Sequence, residues 1–212
     1  MRVPNHIGII PDGNRRWALE KGFSKEKGYK HGLSPGISAF RICKKIGVKE
    51  ITYYGFTMDN TKRPTIQTIA FTQACIDAVE MLLKEDASLL VIGNSSSPMF
   101  PKELLPYTER RVIGKGDIKV NFLVNYGWQW DLKNFMESKN KSDIYNQLKS
   151  NDISRVDLII RWGGRRRLSG FLPIQSVYSD FYVVDDYWPD FKPQNIHDAL
   201  DWYDKQDITL GG

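Results

Sequence analysis

The sequence predicts one α/β domain over residues 1–212, with a mostly parallel central β-sheet flanked by helices. Three observations point there. Short apolar runs rich in Ile and Val recur along the chain, and longer segments of helical apolar spacing lie between them. No repeat, low-complexity tract or linker divides the sequence.

The runs at 6–10, 50–56, 88–93, 118–127 and 157–161 read as buried strands. A helix opens after the first, at the turn "PDGNRRWA". "GLSPGISAFRICKKIG" (32–47) reads as a helix with Ser34 as N-cap and Gly47 as its stop. "TIQTIAFTQACIDAVEMLLKED" (65–86) reads as a long helix with Thr65 as N-cap. "PKELLPYTERRV" (101–112) and "WDLKNFMESKNKSDIYNQLKS" (130–150) have helical length and spacing as well. "GNSSSPMFPKE" (93–103) reads as a polar loop between elements and not a domain boundary. Strand–helix alternation of this kind calls for right-handed crossovers and helices on both faces of the sheet.

Composition narrows the function classes. Of 212 residues, 41% are hydrophobic and 26% charged, an ordinary globular balance. Neither a signal peptide nor a run of ~20 apolar residues is apparent, so a cytoplasmic protein is expected. Cys43 and Cys75 lie in helical segments and read as core fillers, not a disulfide or thiolate metal site. His6, His31 and His197 lack metal spacing, and no Ser-His-Asp set appears. The formal net charge is +5, and the sharpest basic cluster is "RWGGRRRLS", a compact Gly-Arg loop that suits a small polyanion better than the spread cations of a nucleic-acid binder and otherwise reads as a solvated basic loop.

In open α/β sheets the ligand sits beyond the carboxyl ends of the strands. Asp12 to Arg16, then Asp59, Asn60 and Arg63, then Asn94 to Ser97, Asn125, and finally Arg161 with its loop all follow strands in that sense. A diphosphate would be held there by backbone N–H groups and arginines. Asp12 either caps the first helix or holds a Mg²⁺ that bridges to phosphate, since that ion takes one or two carboxylates and substrate oxygens. Asp180, after Ser169, is a second candidate metal ligand. Such a site ionises a substrate with metal and arginine, without a covalent intermediate.

"HIGIIPDGNRRWALEKGFSKEKGYKHG", "YGFTMDNTKRP", "NYG" and "DLIIRWGGRRRLSGFLPIQSVYSDFYVVDDYWPDF" resemble the cis-prenyltransferase family, the undecaprenyl diphosphate synthases and their relatives, in order along almost the whole chain. The resemblance implies a homodimer that uses Mg²⁺ to condense an allylic prenyl diphosphate (dimethylallyl, geranyl, farnesyl or geranylgeranyl) with a five-carbon diphosphate, isopentenyl or dimethylallyl. It also implies an apolar tunnel for the chain and, for long products, peripheral contact with a membrane. By position, Asp12 would hold Mg²⁺ and assist departure of the allylic diphosphate. Gly13, Asn14, Arg15, Arg16 and Lys25 would bind that group, Asn60 would lie near the reacting carbons, and Arg63 would bridge toward phosphate. Arg161, Arg167 and Ser169 would grip the acceptor diphosphate, and Asp180 stands where the family has a metal-coordinating Glu. Trp17 would pack the site.

Departures from the family pattern bear on the acceptor. Tyr29 replaces His, Thr61 replaces Trp, Trp162 replaces Thr, Arg165 replaces Glu, and Pro173-Ile174 replaces Leu-Trp. The C-terminal Arg-X-Gly lacks its Arg in Thr209-Leu210-Gly211-Gly212. Several of these changes resemble the lavandulyl-type branch, which joins two allylic units head to middle. Head-to-tail and head-to-middle coupling are both open on the sequence. A non-catalytic partner subunit is a further alternative, against which Asp12, Asn60, Arg161, Arg167 and Ser169 speak. Ala70, Ala74 and Ala78 in the long helix either line the tunnel or let the helix sit close to the sheet, with Phe71 and Phe122 as candidate limits on depth.

Overall fold

The computed structural model of the chain describes residues 2–207. Strands β1 (His6–Ile10), β2 (Glu50–Tyr54), β3 (Ala87–Ile92), β4 (Arg111–Ile113), β5 (Lys119–Leu123), β6 (Leu158–Arg161) and β7 (Asp180–Val183) form one sheet in the order β4-β3-β5-β2-β1-β6-β7. All pairs are parallel except β3 with β4.

The central strands are buried on both faces, which is why they read as nearly unbroken apolar runs. Alternation along each strand separates the two cores. Ile7, Ile9, Ile51, Tyr53, Leu89, Val91, Val120, Phe122, Leu158 and Ile160 face one core; Ile10, Tyr54, Leu90, Ile92, Leu123 and Ile159 face the other. The first is covered by α3 (Leu33–Ile46), α4 (Thr65–Leu82) and α8 (Pro193–Asp204). α1 (Asn14–Glu20) and α2 (Gly28–His31) lie between β1 and α3. Toward the amino end of the sheet the second face turns polar, where His6, Glu50, Thr52, Asn121 and Ser154 satisfy one another. Cys43 and Cys75 are buried, their thiols pushed up to about 12 by that burial.

Several expected elements differ. The 101–112 segment is not a helix: a 3₁₀ turn at Lys102–Tyr107 contains Pro106, which lacks the N–H an α-helix needs, and the chain then adds the antiparallel edge strand β4. The 130–150 helix is three short pieces, α5 (Trp128–Asp131), α6 (Lys133–Glu137) and α7 (Ile144–Gln147). A polar run from Ser138 separates the last two, and the Asp143 side chain caps α7. Ser34 is not an N-cap, since α3 begins at Leu33; Thr65 is the first residue of α4 with Pro64 before it. Gly47 does end α3, at φ 99°. The half-buried edge strand β7 went unpredicted.

The topology fixes where a ligand would lie. From β1 the chain moves to β2 on one side, whereas from β6 it moves to β7 on the other. The carboxyl ends of β1 and β6 therefore form the switch point of the sheet, and the crevice opens there.

Candidate active site

At that crevice Asp12 follows β1 and Arg161 ends β6. The Asp12 carboxylate accepts from Arg161 Nη2 at 2.8 Å and from the Gly13 N–H at 2.6 Å, and lies 3.5 Å from Arg16 Nη2. Burial pushes the Asp12 pKa up, but the hydrogen bond and charge of Arg161, the charge of Arg16 and the Gly13 N–H outweigh it. The carboxyl is held below its ordinary range. Asp12 is not the cap of α1: Gly13 occupies that position at φ 101°, and its missing Cβ would lie 2.6 Å from the Tyr187 ring.

Arg161 is almost completely buried. Its Nη1 donates to Ser169 Oγ at 3.0 Å and to the Arg167 carbonyl. The loop that brings Ser169 back to Arg161 needs unusual backbone, with Gly163, Gly164, Gly170 and Ser169 itself at positive φ. The Tyr54 hydroxyl, at the end of β2, donates to the Ser169 carbonyl at 2.8 Å. Arg16 Nη1 donates to the Gly163 carbonyl at 2.9 Å, which ties the α1 turn to the Gly-Arg loop.

On the other wall Asn14 Nδ2 donates to the Pro11 carbonyl, while Asn14 Oδ1 is buried with no hydrogen-bond partner. Arg15 donates to Gln67 of α4 at 3.2 Å. Asn60 and Thr57 cap each other at the 3₁₀ turn Met58–Lys62, which fixes the Asn60 carboxamide at the cleft edge. Arg63 Nη1 donates to the Tyr29 hydroxyl at 3.0 Å, and the Tyr29 ring stacks on Phe71 with centroids 4.5 Å apart. Burial raises the Tyr29 pKa against the opposing charges of Arg63 and Arg15, so the phenol stays protonated.

These groups line one cleft of about 570 Å³, in which Arg15, Arg16, Lys25, Arg63, Arg161, Arg165 and Arg167 face the carboxylates of Asp12 and Asp59. An apolar arm of about 80 Å³ adjoins it, sharing Pro11, Asn14, Tyr29, Gly55 and Phe71 with the cleft. Ala74 and Ala78 line the arm, as do Tyr53 and Phe122; Ala70 does not. Such a pair of cavities suits an amphiphile with an anionic head and an apolar tail.

The structure brings together Asp12 to Arg16, Lys25, Tyr29, Asn60, Arg63, Arg161, Arg165, Arg167 and Ser169. It leaves out others. Trp162 does not line the cleft: it is fully buried, its ring 4.7 Å from that of Trp188. Thr61 does not line the cleft, and its hydroxyl donates to the Met58 carbonyl at 2.7 Å. Asp180 pairs in register with Leu158, which is level with Ile7, and lies 3.9 Å from Arg2. Asp12 lies beyond Ile10, which is itself roughly 10 Å up β1 from Ile7, so Asp180 stands at the other end of the sheet from Asp12 and does not line the cleft. The loops after β3 and β5 bond to each other through Asn94 and Asn125, away from the cleft. Among the described residues no three His, Cys, Asp or Glu side chains cluster for a metal. Trp17 packs, donating to Asp190 at 2.8 Å. Thr209 to Gly212 lie outside the described residues. Sequence reasoning missed Tyr54, Gln67 and Tyr187, whose one signal was position: the end of a strand, the first turn of α4 and the aromatic stretch after β7.

A family model described as putative undecaprenyl diphosphate synthase matches residues 10–211. An isoprenyl transferase of Streptococcus thermophilus is 32% identical over 235 aligned positions, covering 99% of this chain and 94% of that protein. A ditrans,polycis-undecaprenyl-diphosphate synthase of Aliivibrio fischeri, named as (2E,6E)-farnesyl-diphosphate specific, is 29% identical, with 99% and 89% covered. The crystal structure of lavandulyl diphosphate synthase from Lavandula x intermedia in complex with dimethylallyl diphosphate shares the fold at TM-score 0.86 and 22% identity, with 99% of each chain covered.

Proposed function

Because this chain belongs to the undecaprenyl diphosphate synthase family and is thus a prenyltransferase that makes prenyl diphosphates, we propose that it ionises an allylic prenyl diphosphate at Asp12 and the Arg161 crevice. A five-carbon diphosphate captures the resulting carbocation through its double bond, and the adduct then loses a proton to water or to the released diphosphate. The observation that carries this reading is the switch-point crevice itself, where a carboxylate held below its ordinary range sits among arginines beside an apolar arm.

Arg15, Arg16 and the turn N–H groups hold the departing diphosphate, because their donors are fixed before substrate arrives and gain most as negative charge develops on the leaving oxygen. Asp12 suits Mg²⁺: one ionised carboxylate beside an anion site is the donor set that this ion completes with phosphate oxygens, and the ion would then supply further neutralisation of the leaving group. Arg161, with Ser169 beside it, binds the acceptor diphosphate. Asn60 orients the carbons through its fixed carboxamide. Tyr29, protonated and bonded to Arg63, positions that arginine and does not serve as a base.

Arg165 favours a second reading, head-to-middle coupling with dimethylallyl diphosphate as acceptor. It lines the cleft with Arg161 and Arg167 where the family has Glu, a position that stabilises a diphosphate retained on an allylic acceptor. Incubation with Mg²⁺ and dimethylallyl diphosphate alone, followed by addition of isopentenyl diphosphate, tests both. A condensed product from dimethylallyl diphosphate alone selects head-to-middle coupling, and strict dependence on isopentenyl diphosphate selects head-to-tail. No diphosphate release from any allylic substrate would sink the proposal.

A further inference from the structure

Arg16 is a long side chain in a role that demands a fixed one. Its Nη1 donates to the Gly163 carbonyl at 2.9 Å, but its Nη2 stands 3.5 Å from the Asp12 carboxylate, long for a hydrogen bond. An arginine has many rotamers to lose, and one short contact leaves the guanidinium free to swing about it. The half-buried Tyr187 supplies the missing wall. The Arg16 Cζ lies 5.0 Å from the centroid of its ring, within the range of a cation–π contact. The same ring lies against the Gly13 turn so closely that a Cβ on Gly13 would come within 2.6 Å of it.

Tyr187 is itself held from three sides. Its hydroxyl donates to Glu20 Oε1 at 2.6 Å, at the far end of α1 from Gly13. On either side of it in the chain, the Trp188 N–H donates to the Asp12 carbonyl at 3.0 Å and the Asp186 carbonyl accepts from the Gly163 N–H at 2.8 Å. The Glu20 bond pushes the phenol pKa up against the charges of Arg16 and Arg165, so the ring that faces Arg16 is neutral. Arg16 lines the cleft and Tyr187 does not. We propose that Tyr187 is a positioning residue for the departing diphosphate: its ring sets Arg16 and the Gly13 turn in the geometry that meets that group, and Glu20 holds the ring. A guanidinium oriented before ionisation needs no reorganisation as charge grows on the leaving oxygen. This role rests on the reading of Asp12 to Arg16 as the seat of the allylic diphosphate.

Titration calorimetry with inorganic diphosphate and Mg²⁺ tests it on wild type, Tyr187→Phe, Tyr187→Leu, Arg16→Gln and the Tyr187→Leu/Arg16→Gln double variant. Tyr187→Leu is expected to weaken binding by about two- to fivefold, the range of a cation–π contact at an exposed site. Tyr187→Phe keeps the ring and stays close to wild type. In the Arg16→Gln background Tyr187→Leu has no further effect, because the ring acts through that guanidinium; a general loss of structure would weaken binding in both backgrounds. The apparent KM for an allylic diphosphate follows the same pattern. Tyr187→Met takes the place of the Leu variant if the latter fails to melt cooperatively. Unchanged binding in Tyr187→Leu, an equal loss in Tyr187→Phe, or a loss that persists in full without Arg16 overturns the assignment of Tyr187 alone. Failure of wild type to bind diphosphate overturns the donor-site reading, and the role of Tyr187 with it.

Discussion

At the scale of single residues, Asp12 carries the heaviest role. Replacing it with Ala is expected to lower the rate of diphosphate release by at least ~10²–10³-fold, the size of effect seen when a fixed electrostatic partner of a transition state is removed. The fold should persist, because the Asp12 side chain is about one-third exposed and Arg161 keeps Ser169 and the Arg167 carbonyl. Single-turnover kinetics and thermal melting check the two halves. Asp12 also has a definite pH signature. Its pKa is lowered in the folded chain, so its contribution to stability is complete above the ordinary carboxylate value of about 3.9 and is lost as pH falls through the lower native value. The stability difference between wild type and Asp12→Asn in urea should be level from about pH 7 to pH 5 and shrink only below about pH 4. Shrinkage near pH 6 would show that the arginines do not hold this carboxyl. Asp12, Asn60, Arg63 and the Gly-Arg loop were legible as candidates in the sequence because each follows a strand, and a parallel sheet gathers those loops at one edge. Tyr54 was not, since a tyrosine ending a buried strand looks like core until its hydroxyl is seen on the Ser169 carbonyl.

At the scale of elements, the loop between β6 and β7 positions the acceptor side, and its conformation depends on glycine. Gly163 sits at φ 81°, and a Cβ there would stand 2.5 Å from Arg16 Nη2. Gly163→Ala should cost about 1–3 kcal/mol of stability from the left-handed backbone. It should also raise KM, because Arg16 must leave the Gly163 carbonyl; unchanged KM would mean that the tie is dispensable. Tyr54→Phe removes one hydrogen bond, with an expected cost of about 1 kcal/mol and a rise in acceptor KM that the same assays read. The elements themselves were legible where local and tertiary preferences agree. β1, β2 and β3 are buried on both faces, and α3 and α4 are long enough for their spacing to declare them. β4 was hidden because its exposed Arg111-Val112 pairs at the sheet edge without any apolar pattern. The 130–150 region kept helical spacing while its polar middle broke the helix, a competition that sequence spacing alone does not resolve.

At the scale of the whole molecule, charge is placed with more economy than the composition suggests. Seven of the 30 Lys and Arg and two of the 25 Asp and Glu line the cleft, which leaves 23 of each sign elsewhere. The formal charge of +5 therefore resides entirely in the crevice, and the remaining surface is balanced. A field focused in this way steers small anions and does not make a nucleic-acid footprint, which needs cations spread along a face. The topology explains the focus: parallel strands send every loop at their carboxyl ends to one edge, and the switch between β1 and β6 opens that edge where Asp12 and Arg161 meet. Two measurements follow from one cause. The kcat/KM for a prenyl diphosphate should fall by about tenfold as ionic strength rises from ~0.01 to ~0.3 M, since the Debye length contracts from ~30 Å to below ~8 Å. The slope should lessen in Arg165→Gln, which removes one steering charge at the mouth. DNA and RNA columns should release the protein by about 0.15 M salt, because few phosphates can reach cations gathered in a concave site. Retention beyond that salt, together with a flat kcat/KM, would place the charge on an open face and remove the electrostatic basis for a diphosphate crevice.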